Sequence, residues 1–296
     1  MLGGVCDVVG VAEHFTQRVL HALEQGKPAD WLKRALVVFV VVAISATWLM
    51  LKFNGFAIPE AMDQAQIGRQ IATGQGYTTL YARPLALHLM LARTGKIDHP
   101  LPDISEPPLG PLLNALVLKA TGTAKVAPDD EIVFSGDRAI GAAGFLFFAG
   151  SLVLSYLLAR RLFDPRLALL GTGLVIATDI LWRFSFSGLP QMPMLFFFSA
   201  AMLALAAALD AQDRGLKRGA LALTLAAALL LGITTLGNGI GLWIFDGFWI
   251  FAVATLRPRW LTAFATPAAY VLPLLPWALH NWRVLRNPFG LGFYEL

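Results

Sequence analysis

The sequence predicts an all-α membrane protein with about seven transmembrane helices and two interfacial helices in a large first outer loop. Composition comes first: of 296 residues, 57% are hydrophobic and only 14% charged, against roughly 25% charged in soluble domains. Long apolar runs recur along the chain, joined by short connections. Positive charge collects in alternate connections, the bias that orients membrane proteins.

Residues 1–30 form the first unit. Val5, Val8, Val9, Ala12, Phe15, Val19, Leu20 and Leu23 recur near helical spacing with polar residues opposite. This predicts an amphipathic helix lying at the cytoplasmic interface. Residues 31–296 form the membrane domain. Lys27, Lys33 and Arg34 precede the run Ala35 to Leu51 and place the N-terminus in the cytoplasm.

The first outer loop spans residues 54–138. Within it, Ala61 to Ile71 reads as a short helix opened by Pro59 and Glu60 and ended by Gly74-Gln75-Gly76. Pro107 to Ala120 reads as a second, with Leu109, Leu112, Leu113, Leu116 and Val117 along one side. Both are expected to lie half-buried on the outer leaflet. Arg93 to Pro108, rich in Pro, Asp and His, is expected to be a loop able to close over something.

Six further apolar runs follow: Ala139 to Ala159, Leu167 to Leu181, Met192 to Leu209, Ala220 to Leu236, Ile240 to Leu256 and Leu261 to Leu279. Arg160, Arg161 and Arg166, then Arg214, Lys217 and Arg218, then Arg257 and Arg259 fall on the N-terminal side. An odd number of crossings places the C-terminal tail outside.

Several chemistries lack support. The net charge of +4 is spread over short loops, which argues against nucleic acid as a partner. A single cysteine, Cys6, excludes an intrachain disulfide. Gly-rich phosphate motifs, a Ser/His/Asp set and a dinucleotide fingerprint are absent. His88 and His99 leave room for a divalent metal but form no ligand cluster, so no metal site is assigned.

Candidate chemistry concentrates in the outer loop. Glu60 and Asp63, three apart at a helix start, can share a face. They serve either as solvated first-turn carboxylates favoured by the helix dipole or as a general base at the water–lipid boundary. Arg69, Arg83, Arg93, Lys96, Arg138, Arg183, Arg283 and Arg286 are the basic residues on the outer side, available to an anionic lipid head group. Asp246, inside an apolar run, needs a polar partner or cavity.

The run from Pro59-Glu60-Ala61-Met62-Asp63 to Arg69-Gln70-Ile71 resembles the first-loop signature of GT-C glycosyltransferases, in the branch of protein O-mannosyltransferases and bacterial aminoarabinose lipid A transferases. Glu106-Pro107-Pro108-Leu109 resembles that family's Pro-Pro-Leu box. Arg138 before an apolar run, Tyr156 to Phe163, Leu189-Pro190-Gln191, and Pro276-Trp277 through Arg286-Asn287-Pro288-Phe289 match in position. The likeness covers nearly all of the chain from Ala35 onward.

The resemblance implies an integral protein of the bacterial inner membrane. It implies transfer of a sugar from a polyprenyl-phosphate donor to an acceptor on the outer face. Glu60 falls where the family has its catalytic Asp, with Asp63 as helper. Arg83, Arg138 and Arg283 are the implied donor-phosphate ligands. In the aminoarabinose branch a Lys precedes Pro-Pro-Leu, and here that residue is Glu106. Family members continue with further spans and an outer domain, so a sequence ending at Leu296 is expected to be a fragment, a split protein or a relative without catalysis. The competing expectation is a non-catalytic membrane subunit whose GT-C-like scaffold packs against partner membrane chains, with the small residues Ala142-Ala143-Gly144 suited to such contacts.

Overall fold

The computed structural model describes residues 40–96, 100–124 and 134–291. The amphipathic helix expected over residues 1–30, the first part of the run from Ala35, and His99 lie outside the described residues. Two compact units divide at Phe53. In the first, α1 covers Val40–Leu51, and Trp48 meets Phe53 edge-on with ring centroids 6.4 Å apart.

The second unit opens with α2, Pro59–Ala72. Proline at the first helical positions lacks an N–H that would be unpaired anyway, Glu60 complements the positive helix end, and Arg69 the negative end. At the far end, Thr73 Oγ1 donates to the Arg69 carbonyl at 2.8 Å. A two-residue strand, β1 (Thr78–Thr79), pairs antiparallel with β2 (Leu101–Pro102) in the register Thr78↔Pro102. Between them runs α3, Pro84–Thr94, started by a proline and ended by Gly95 at φ 68°. No helix was expected there, because its apolar face spans only three turns.

Leu109–Thr121 forms α4. The helices α2 and α4 pack on each other: a Cβ on Gly68 would stand 2.8 Å from Asn114 Cβ and 3.2 Å from the Pro111 carbonyl oxygen. Only glycine permits that approach. Ala61, Ala65 and Ile67 are fully buried.

Seven further helices make up the apolar bundle. They are α5 (Ser135–Leu162), α6 (Pro165–Ile176), α7 (Asp179–Ser185), α8 (Gln191–Asp213), α9 (Lys217–Thr235), α10 (Gly241–Thr255) and α11 (Arg259–Val271). A 3₁₀ turn, Leu272–Leu274, joins α11 to α12, Leu275–Leu285. The core of α8 to α11 is built from Ala201, Ala208, Ala227, Ala228, Leu231, Phe248 and Tyr270. Alanines at a contact let helix backbones approach closely where no water drives association.

Among the described residues, four helices are long and apolar enough to cross a membrane: α5, α8, α9 and the continuous Arg259–Leu285. The pair α6 and α7 makes five if counted as one crossing. About seven crossings were expected, and the described residues hold at most five helices or helix pairs of that length. The run from Leu167 to Leu181 is not one helix, since α6 and α7 bend by 66°. Thr178 closes α6 by donating to the Leu174 carbonyl at 2.9 Å, and Trp182 Nε1 donates to the freed Ile176 carbonyl at 2.7 Å. α1, as described, and α10 are shorter apolar helices.

Candidate functional site

The polar cluster forms where α2, the β1–α3 connection and the segment before α4 converge. Asp63, on the buried side of α2, is ion-paired with Arg83, the residue that precedes α3. Arg83 also reaches Glu106 at 2.9 Å and Asp103 at 3.9 Å. One guanidinium thus gathers three carboxylates, using a planar fork that matches carboxylate geometry.

The segment Pro102 to Glu106 is shaped by Asp103 itself. Its Oδ2 accepts the Ser105 N–H at 3.2 Å and the Glu106 N–H at 2.8 Å, a side-chain turn that aims Glu106 back at Arg83. Gln64 Nε2 donates to the other Glu106 oxygen at 3.0 Å. The Tyr77 hydroxyl donates to the Glu106 carbonyl at 2.9 Å. The His280 ring lies 2.8 Å from the Asp103 carbonyl oxygen and stacks on Trp277 at 5.3 Å, which ties α12 to this segment.

Burial is near total for Asp103, at 1% exposure, and pushes its carboxyl above the ordinary range despite the opposing Glu106 N–H and Arg83. Burial, with the charges of Asp103 and Glu106 nearby, likewise drives the Tyr77 phenol well above its ordinary value. Tyr77 is therefore a neutral donor.

Beside this cluster opens a cavity of about 610 Å³. Met62, Gln66, Arg69, Gln70 and Thr73 line it from one face of α2, and Tyr81, Phe134 and Asp137 close it. Thr79 connects cluster to cavity: its hydroxyl lies 3.4 Å from Asp63 Oδ1 and 3.3 Å from Gln66 Oε1. Arg69 stands 3.5 Å from Asp137 and 5.0 Å over the Phe134 ring.

The sequence candidates separate. Asp63 and Arg83 are brought together. Glu60 is exposed, does not line the cavity and makes no ion pair with an arginine among the described residues, because the first turn of α2 turns it away from the buried face. Arg138 and Arg283 are exposed and join neither cluster nor cavity. Arg83 is engaged by three acids, so its charge is already balanced. Asp246 is exposed on α10. Asp103, Gln64, Gln66, Thr79 and Asp137 were missed. Only Asp103, between two prolines and ahead of Ser-Glu, carried a local sign, that of a turn.

A divalent metal does not fit this donor set. The carboxylates close on a guanidinium, His88 is exposed, and the described residues contain no cluster of three or more metal-ligating side chains.

No family model and no curated protein matches the chain. Among solved structures, the chain is similar to the Archaeoglobus fulgidus oligosaccharyltransferase, crystallised tethered by a disulfide bond to an acceptor peptide containing the NVT sequon. The TM-score is 0.57 at 18% identity, covering 86% of this chain and 31% of that one. The likeness is one of fold alone, and the chain spans less than a third of the length of that transferase.

Proposed function

We propose, from the fold it has in common with an oligosaccharyltransferase, that this protein transfers a sugar from a polyprenyl-phosphate donor to an acceptor on the outer face of a bacterial inner membrane. The observation that carries the reading is the Asp63–Arg83 cluster linked through Thr79 to the 610 Å³ cavity. In this scheme the anomeric carbon–oxygen bond to phosphate breaks, and phosphate leaves with the electron pair. The acceptor oxygen bonds the anomeric carbon, and its proton passes to a carboxylate. Asp63 takes that role better than Glu60, because it is held in a defined position near the cavity. Phosphate is a good leaving group, so a base and a cation suffice, and Arg69 is the cation that lines the cavity.

Seven crossings, with the N-terminus cytoplasmic, fit this scheme. The helices α1 and α10 would join the five candidates, although the 15 residues of α10 span only about 22 Å. The basic connections Arg160 to Arg166, Arg214 to Arg218 and Arg257 to Arg259 would then face the cytoplasm.

One observation favours the second reading, a non-catalytic subunit with a GT-C-like scaffold packed among partner membrane chains. Arg83 is neutralised by acids, and among the described residues Glu60 makes no ion pair with an arginine. Turnover of a polyprenyl-phosphate-linked sugar by the full chain in lipid decides between them. Transfer is expected to fall at least about a hundredfold in Asp63→Asn, the usual scale for a lost general base. No transfer by the unaltered protein, with or without co-purified membrane partners, would leave the scaffold reading.

A further inference from the structure

We infer that one face of α10 docks a transmembrane helix of another chain, one that carries a lysine or arginine opposite Asp246. The inference goes beyond both functional readings and rests only on α10 crossing the bilayer, as in the seven-crossing topology. Trp243, Asp246, Gly247, Ile250 and Ala254 are all exposed, and with 3.6 residues per turn they fall on one stripe of the helix. Within that otherwise apolar stripe, Asp246 makes no ion pair or hydrogen bond among the described residues, and it does not line the 610 Å³ cavity. On the inner side of α10, the Tyr270 hydroxyl is taken by Thr235 at 2.9 Å, and its ring stacks on Phe245 at 3.8 Å. A carboxylate in an apolar crossing is costly unless a partner or polar cavity meets it. Beside the acid, a Cβ on Gly247 would meet nothing within 4 Å, so the backbone there is open to close approach by a second helix. The helix has 15 residues and spans about 22 Å, short of the roughly 30 Å of hydrocarbon, and a short crossing is relieved by association.

Charge selects the occupant. Every basic residue on helices α5 to α12 lies at a helix end. Arg257, the nearest to Asp246 in sequence, lies beyond the other end of α10, about 16 Å along its axis. A second copy of this chain therefore brings no cation to the depth of Asp246, and two-fold pairing through the same face would set acid against acid. A lysine or arginine on a different helix supplies the missing counter-charge, and Gly247 lets that helix come close enough to deliver it.

Energy transfer in phosphatidylcholine vesicles tests this, with the full chain labelled at Cys6 and a dye-labelled single-span leucine–alanine peptide. One peptide carries a lysine at its centre, and two others carry leucine or glutamate there. The unaltered protein is expected to bind the lysine peptide about tenfold more tightly than the leucine one. Asp246→Leu is expected to abolish that preference. Gly247→Leu, which blocks the close approach, is expected to weaken binding of the lysine peptide about tenfold. Both positions are exposed and neither substitution breaks a hydrogen bond or ion pair, so both variants should keep the unaltered melting temperature. No preference for lysine, a preference that survives Asp246→Leu, or equal binding of the glutamate peptide overturns the inference. So does energy transfer between two copies that Asp246→Leu abolishes, which makes the occupant a second copy. Reaction of Ile250→Cys, in a Cys6→Ser background, with a membrane-impermeant maleimide would place α10 outside the bilayer and overturn the topology as well. None of these outcomes bears on sugar transfer, which the turnover assay tests separately.

Discussion

Glu106 holds the Arg83 guanidinium at 2.9 Å, and so joins the segment that leads into α4 to the residue that opens α3. Asp63 on α2 binds the same guanidinium. One side chain therefore fastens three helices of the outer loop, each too short to stand alone.

Removing that cation should be severe. Arg83→Met leaves Asp63, Glu106 and Asp103 without their shared counter-charge, and an uncompensated buried charge costs about 3 kcal/mol or more. Arg83→Lys should recover only part of the loss, since an ammonium cannot present a planar fork to two carboxylates. Chemical denaturation in detergent checks the order. Adding Asp63→Asn to Arg83→Met should restore some stability, which a double-mutant cycle would register as coupling between the two positions.

Asp103 predicts a pH dependence. Burial raises its folded-state carboxyl above the value of 3.8 that it has when unfolded, so the folded protein holds the proton more tightly. Its contribution to stability is greatest below the unfolded value and declines as pH rises through the raised folded one. Asp103→Asn keeps an oxygen to accept from Ser105 and Glu106 while removing the buried charge. The variant should melt higher than the unaltered protein at pH 7, and the gap should close as pH falls toward 4. Parallel melting curves across that range would refute this.

Glu60 and Asp63 illustrate what sequence could and could not reveal. Spacing of three at a helix start put both in view, and the hydrophobic runs gave the helical class. Spacing alone cannot say which of the two turns inward, because that depends on where α4 packs, and Gly68 sets that approach. The acids that complete the cluster, Asp103 and Glu106, lie 40 and 43 positions beyond Asp63 and meet Arg83 through tertiary contacts, among them the two-residue β1–β2 pairing and the Tyr77 and Gln64 bonds to Glu106. The break between α6 and α7 was equally hidden, since both halves are apolar and only the Trp182 and Thr178 bonds mark it.

The same contrast gives a third test. Glu60→Gln removes an exposed first-turn charge, so its effect on stability should stay within about 0.5 kcal/mol. Asp63→Asn breaks the Arg83 pair and should destabilise by several times that amount. If thermal melts in one detergent rank the two variants the other way, the assignment of the inward-facing acid is wrong.

Packing inside the bundle makes the last prediction, from two glycines of one helix. On Gly232 of α9 a Cβ would stand 2.2 Å from the Tyr270 carbonyl oxygen, and backbone cannot move aside as a flexible side chain can. On Gly219, near the start of the same helix, it would meet only Leu216 Cβ at 3.9 Å. Alanine favours a helix over glycine by about 1 kcal/mol at either place. At Gly219 nothing opposes that gain, so Gly219→Ala should be neutral or slightly stabilising. At Gly232, overpacking of about 1–3 kcal/mol outweighs it. The α9–α11 contact must then open, and with it the 2.9 Å bond between Thr235 and the Tyr270 hydroxyl. Gly232→Ala should therefore lower the melting temperature while Gly219→Ala does not, and equal melting of the two would show that α9 and α11 do not pack this closely.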